Sequence, residues 1–194
     1  MSVKKFTPEK ISELKENEVF VFGSNVQGEH VGGAALVAYK CFGAVMANGF
    51  GLQGNSYAIP TCVRLTNENG NRYTKPFSKV EHIKPFVESF IDDAKLCDCL
   101  DFYVTKIGCG IAGFKVSEVA ELFRPCLYMN NVFLPKEFVE WLLYPVVIDN
   151  LSKRGYTSGV EYDEVGVMRF VMERISCKHS LDDILDEFES LPNI

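Results

Sequence analysis

The chain has 194 residues, 47% of them hydrophobic and 24% charged, a composition that fills one core with an extension and excludes intrinsic disorder. A formal net charge of -6 excludes broad electrostatic attachment to nucleic-acid backbones, so any phosphate must be gripped locally. No run approaches the ~20 apolar residues of a membrane span, and the segment from Met1 to Glu16 lacks the apolar core of a signal peptide, so a cytoplasmic protein without a membrane partner is expected.

In chain order, Thr7-Pro8-Glu9 opens a predicted short helix through Ile11 and Leu14. Glu18 to Phe22 is a β-rich apolar run that ends at Gly23, and Ala34 to Lys40 follows with helical preference. Asn48 to Asn55 has the composition of a loop; Ser56 to Pro60 reads as a strand whose proline marks its end or an exposed edge, and Thr66 to Lys75 as a polar hairpin or surface excursion. From Lys79 to Ala94 the apolar residues recur at helical spacing.

Asp101 to Ile107 is a second clear strand, running directly into Gly108-Cys109-Gly110-Ile111-Ala112-Gly113-Phe114 and then a helix over Val116 to Phe123. Asn131 to Pro135 is the last predicted strand, and Lys136 to Leu151 a helix that Pro145 interrupts or terminates. Arg154 to Gly159 reads as a connector. Two further helices follow over Val165 to Ile175 and Ser180 to Leu191. This alternation predicts an α/β fold with a mostly parallel sheet over residues 1–150 and a helical extension over 151–194.

The strand, glycine loop, helix unit occurs twice, at Gly23 to Gly33 and at Gly108 to Phe114. A helix start offers unpaired N–H groups, and glycine lets a phosphate approach them. The first loop holds no Lys or Arg and the second only the flanking Lys106 and Lys115, so the backbone itself must supply most of the grip. No Gly-Lys-Ser/Thr motif marks a P-loop, and no G-x-G-x-x-G with a downstream acid supports nicotinamide chemistry. Seven cysteines without a C-x-x-C pair favour reduced thiols over a zinc site, and neither metal nor cofactor is expected.

Phe22-Gly23-Ser24-Asn25 with His30-Val31-Gly32-Gly33-Ala34-Ala35, then Gly51 to Thr61, then Lys106 to Phe114, resemble the macro-domain superfamily, in its phage and bacterial branches, over about Val19 to Phe133. The resemblance implies a three-layer macro-domain-like fold that binds ADP-ribose or a related nucleotide diphosphate, free or on an ADP-ribosylated macromolecule. By it Gly23, Ser24 and His30 belong to the ligand loop and Asn25 meets the distal ribose. Gly32 and Gly33 lie under the phosphates, Gly108, Cys109, Gly110, Ile111, Ala112 and Gly113 cover them, and Phe114 sits near the distal ribose.

The departures matter equally. Val31 stands where the family has glycine, and the Asp-Ile adenine signature is not evident. One branch cleaves ADP-ribose conjugates with a lysine and an aspartate; their counterparts here are Cys62 and Ala112, which can do neither task. Other branches use a substrate-positioned water and need few catalytic side chains, so the expectation is a binder for which hydrolysis of ADP-ribose conjugates stays open, with catalytic residues unassigned. His30 is a candidate base or phosphate donor, but no carboxylate stands in sequence to orient it, which favours a backbone-bonded loop histidine. Cys109 is a candidate low-pKa nucleophile set against a small residue fitting a tight loop. The competing reading makes both loops structural and the chain a non-enzymatic interaction module, with the acidic tail of Asp182, Asp183, Asp186, Glu187 and Glu189 either a solvated face or a partner surface.

Overall fold

A computed structural model describes residues 6–159, 162–175 and 180–190. His179 and Leu191 lie outside them. The protein is α/β, with one mixed, mostly parallel sheet between helices. Its strands are β1 (Glu18–Asn25), β2 (Gly51–Gln53), β3 (Ser56–Thr66), β4 (Arg72–Pro76), β5 (Asp101–Val104) and β6 (Val132–Phe133). The order is β2-β3-β1-β5-β6, with β4 also on β3; β1 runs parallel to β3 and β5, and β5 to β6, while β2 and β4 are antiparallel to β3.

The two-residue alternation of β1 separates the layers. Phe20 and Phe22 face α1 (Gly33–Cys41), packing with Ala35, Ala38 and Phe42 in a small cluster. Val19 and Val21 face the opposite way, into the main core. That core is built on α2 (Lys84–Leu96), α3 (Val116–Leu122) and α4 (Lys136–Lys153), and continues into α5 (Glu164–Ile175) and α6 (Leu181–Glu189). The buried Met168, Val171, Ile184 and Leu185 of the last two helices share it with Phe138 and Leu142. Among the described residues no helix is long and apolar enough to cross a membrane.

Several elements differ from expectation, each for a local reason. The segment from Thr7 to Leu14 is not helical: the Thr7 N–H donates to Leu134 O and its hydroxyl to Phe133 O, so the chain straps the β6 edge. Ile11 and Leu14 cover the α1-side cluster. β3 runs past Pro60 because the proline pairs with Ser24 of β1 at a register shift and lies between the end of pairing with β2, at Ala58, and its start with β4, at Cys62, an irregularity of the kind that accommodates proline in a strand. Helix α4 runs through Pro145, which is exposed, so the C=O it leaves without a helical partner is on the side water can reach. β1 extends two residues beyond Gly23, β5 stops at Val104, and β2 forms inside the expected loop.

The acidic tail is engaged. Arg154 reaches Asp186 at 2.6 Å and Glu189 at 3.0 Å, and Arg174 reaches Glu187 at 2.8 Å. Ser180 caps α6 by accepting the Asp183 N–H at 3.1 Å.

Candidate functional site

The loops after β1 and β5, which are neighbours in the sheet, leave toward opposite faces: one leads to α1 on the small cluster, the other to α3 on the main core. Such a divergence opens a crevice outside the carboxyl ends of the strands. A cavity of about 300 Å³ occupies it, at the small end of ligand sites.

Nine of the residues singled out from sequence converge on this cavity: Gly23, Ser24, Asn25, Gly32, Gly33, Gly108, Gly110, Ile111 and Ala112. Four do not line it. His30 is fully buried behind the first loop, its Nε2 3.1 Å from Asn48 O and its ring edge-on to Phe22. Phe114 packs on the main core, where it touches the space beside Gly108. Gly113 takes the positive φ of 73° that its turn demands. The half-buried Cys109 turns its Sγ toward Ile107 O at 3.5 Å, and burial pushes its thiol up to about 11, the reverse of what a nucleophile needs.

The first loop is held from within. Asn25 is 6% exposed; its Nδ2 donates to Glu29 O at 2.8 Å and its Oδ1 accepts the Glu29 N–H at 3.0 Å. The side chain is therefore a clamp on the loop as well as part of the cavity wall. Asn25→Ala removes both bonds and is expected to cost about 1–3 kcal/mol, read as a lowered thermal midpoint; an unchanged midpoint would remove the clamp from the account. The hydroxyls of the wall also bond protein carbonyls: Ser24 Oγ to Gly49 O, Thr61 Oγ1 to Ser24 O at 3.3 Å, and Thr105 Oγ1 to Val21 O at 2.9 Å.

What faces the cavity unpaired is backbone. Gly32 is the N-cap of α1 in extended conformation and no side chain caps the helix, so the N–H groups of Gly33, Ala34 and Ala35 lack intrahelical partners. Across the cleft the N–H groups of Gly110, Ile111 and Ala112 donate to no backbone group among the described residues. Both sets line one space. Gly32 and Gly110 have neither positive φ nor any neighbour within 4 Å of an added Cβ. The fold does not require glycine at either place.

Charge enters from β3 and β4. Arg64 and Thr74 line the cavity with Glu29, and Arg64 Nε meets Glu29 Oε2 at 3.2 Å. Lys106, also in the wall, is bound to Glu137 at 2.8 Å, which raises the lysine and lowers the carboxyl.

No family model, curated protein or solved structure matches the chain.

The site's chemistry is therefore read from its own groups. Among the described residues lining the cavity, Cys62 is the one thiol and burial raises its pKa; Glu29 is the one carboxylate and two arginines hold it. No group of three His, Cys, Asp or Glu able to hold a metal occurs among the described residues. Sequence reading missed Arg64 because Pro60 reads as the end of its strand, Thr74 because Thr66 to Lys75 reads as a surface excursion, and Glu29 because the first loop is read for its glycines. The available signal was alternation: Arg64 lies two residues beyond Cys62, on the same face of a strand that continues.

Proposed function

We propose that this protein binds ADP-ribose, or a close nucleotide diphosphate relative, with the diphosphate between the start of α1 and the Gly110–Ala112 turn. The observation that carries this reading is the pair Gly32 and Gly110. Each lies beside unpaired N–H groups in one cavity, and neither is demanded by backbone conformation or packing. Open space next to free donors suits an anion that must approach the backbone closely. Val31 and Ile111, 56% and 72% exposed, flank the mouth and offer apolar cover for a bound sugar. The reading in which both loops are only structural has no account of these two glycines.

Binding is the activity the cavity supports best. Burial disfavours the thiolate of Cys62, and the Glu29 carboxylate is engaged by the guanidinium groups of Arg64 and Arg72. Cleavage of an ADP-ribose conjugate here would rest on a water positioned by the substrate itself. Release of ADP-ribose from modified protein or nucleic acid, above a buffer control, is the assay for it.

A thermal-shift titration with ADP-ribose, AMP and NAD tests the binding. Ligand at about 100 times its dissociation constant stabilises by ~2.7 kcal/mol, a rise of about 5–10 °C for a chain of this size. ADP-ribose is expected to give that rise. No shift and no calorimetric heat with any of the three would refute the proposal.

A further inference from the structure

The outer face of α4 carries large apolar side chains that the core does not use. In the first half of the helix Phe138, Val139, Leu142 and Leu143 are buried on the inner side. Glu137, Glu140, Trp141, Tyr144 and Pro145 follow one another at helical spacing on the opposite side, and all are exposed. Trp141 is 47% and Tyr144 41% exposed. A helix that is apolar on both sides is ordinarily covered on both, and none of these outer residues lines the cavity.

The two rings are held by their polar ends. Trp141 Nε1 donates to Glu121 Oε1 on α3 at 2.9 Å, and Arg124 closes on the same carboxylate with Nε and Nη2, both at 2.8 Å. Tyr144 OH donates to Glu164 Oε2 at the start of α5, and Ser158 Oγ donates to Glu164 Oε1 at 2.5 Å. What each ring leaves open is therefore carbon and π surface, on an anchor already ordered before any partner arrives. The charge left over beside them is negative. Glu137 has Lys106 and Glu121 has Arg124, but Glu140 and Glu164 have no cationic partner among the described residues, and Lys136, one turn before Glu140, forms no ion pair with it. The hydrogen bonds from Ser158 and Tyr144 lower the pKa of Glu164, which keeps it ionised at neutral pH.

We propose that this face docks an arginine-bearing basic segment of a partner protein, its guanidinium planes lying on Trp141 and Tyr144 and its charge meeting Glu140 and Glu164. Arginine stacks on aromatic rings while its N–H edge bonds carboxylates. The chain itself contains that arrangement: Arg174 lies 3.4 Å over the Phe170 ring with its Nε 2.8 Å from Glu187 Oε1. The charge disfavours the other occupants. A second copy in a two-fold contact would set Glu140 and Glu164 against their own counterparts, and a nucleic acid would bring phosphates to unpaired carboxylates. Occupancy of this face is independent of the ADP-ribose reading.

Trp141 is the single tryptophan of the chain, so its fluorescence reads this face directly. The full chain is titrated with a short peptide of alternating arginine and glycine, with a peptide of alternating glutamate and glycine and an oligonucleotide as controls. A saturable change in emission is expected with the arginine peptide alone. Glu140→Gln combined with Glu164→Gln is expected to weaken that binding at least about fivefold. Glu88→Gln combined with Asp92→Asn removes an equal charge from exposed positions of α2 and should leave it within about twofold. Trp141→Ser, followed by calorimetry, is expected to weaken it at least about fivefold, which keeps the test open if the α4–α5 double variant does not fold. No saturable change with the arginine peptide, saturation by the oligonucleotide, or equal weakening by the α2 pair overturns the proposal. So does a concentration-dependent dimer of the peptide-free protein that Trp141→Ser abolishes, which would give the face to a second copy.

Discussion

Gly32→Asp is expected to make the protein more stable and to abolish its affinity for ADP-ribose. Gly32 is the N-cap of α1, in the extended conformation that a capping residue adopts, and no side chain caps the helix. An aspartate there can accept from the free N–H groups of the first turn and place negative charge at the positive end of the helix, together worth about 0.5–1 kcal/mol. The midpoint of thermal unfolding should rise by about 1–4 °C. The same carboxylate would occupy the donors assigned to the diphosphate and repel it. Hydrogen bonds to charged groups are worth about 1.5–3 kcal/mol each, so losing two weakens binding by at least about 100-fold. Stability and affinity moving in opposite directions separates a ligand glycine from a structural one, because replacing a structural glycine lowers stability first. A stabilised variant that still binds ADP-ribose with wild-type affinity would move the phosphate site away from α1.

Gly28→Ala is expected to do the opposite: to damage the fold before any question of ligand arises. Gly28 has a φ of 67°, and an added Cβ would lie 2.3 Å from Asn48 N and 2.6 Å from Ala47 C. Gly49 is as tightly placed, 2.2 Å from Asn25 O. The first glycine loop is thus pressed backbone to backbone against the segment before β2. His30 Nε2 at Asn48 O, Ser24 Oγ donating to Gly49 O and the Ala47 N–H donating to Gly28 O staple the two together. These contacts are with main-chain atoms, which cannot swing aside, so overpacking and the left-handed backbone together cost about 3 kcal/mol. That lowers the midpoint by about 6–12 °C. Gly110→Ala, in open space at an ordinary φ, is the control and should leave the midpoint within about 2 °C. A Gly28→Ala protein as stable as the wild type would mean that the two loops are not held together as described.

The contrast between these glycines shows how far the sequence alone reaches. Both loops were legible as candidates because each follows an apolar strand and precedes a helix, and strand–helix alternation was enough to predict a mostly parallel α/β sheet. Which glycines serve the fold was not legible, since that depends on what lies across the cleft. Gly28 and Gly49 are forced by chain segments that meet only after folding, while Gly32 and Gly110 are left with room. His30 was a candidate ligand residue for which the missing carboxylate favoured a backbone bond, and the fold buries it against Phe22 with Nε2 at Asn48 O. Phe114 looked like a sugar platform, yet it packs on the core beside Gly108. Pro60 and Pro145 were read as element ends because a proline removes one hydrogen bond. In the fold Pro60 sits at a register shift in the β1 pairing and between the β2 and β4 ladders, and Pro145 lies on the exposed side of α4. Thr7 to Leu14 carries a helix-start pattern, but its backbone and side-chain bonds go to the β6 edge, a tertiary contact that local preference does not encode.

The most direct test of the diphosphate cradle is a crystal structure of the protein with ADP-ribose bound. The account predicts diphosphate oxygens at about 2.7–3.2 Å from N–H groups of Gly33 to Ala35 on one side and Gly110 to Ala112 on the other, with Gly32 and Gly110 in van der Waals contact with the ligand. A diphosphate bound elsewhere, or touching only one of the two backbone segments, would contradict it.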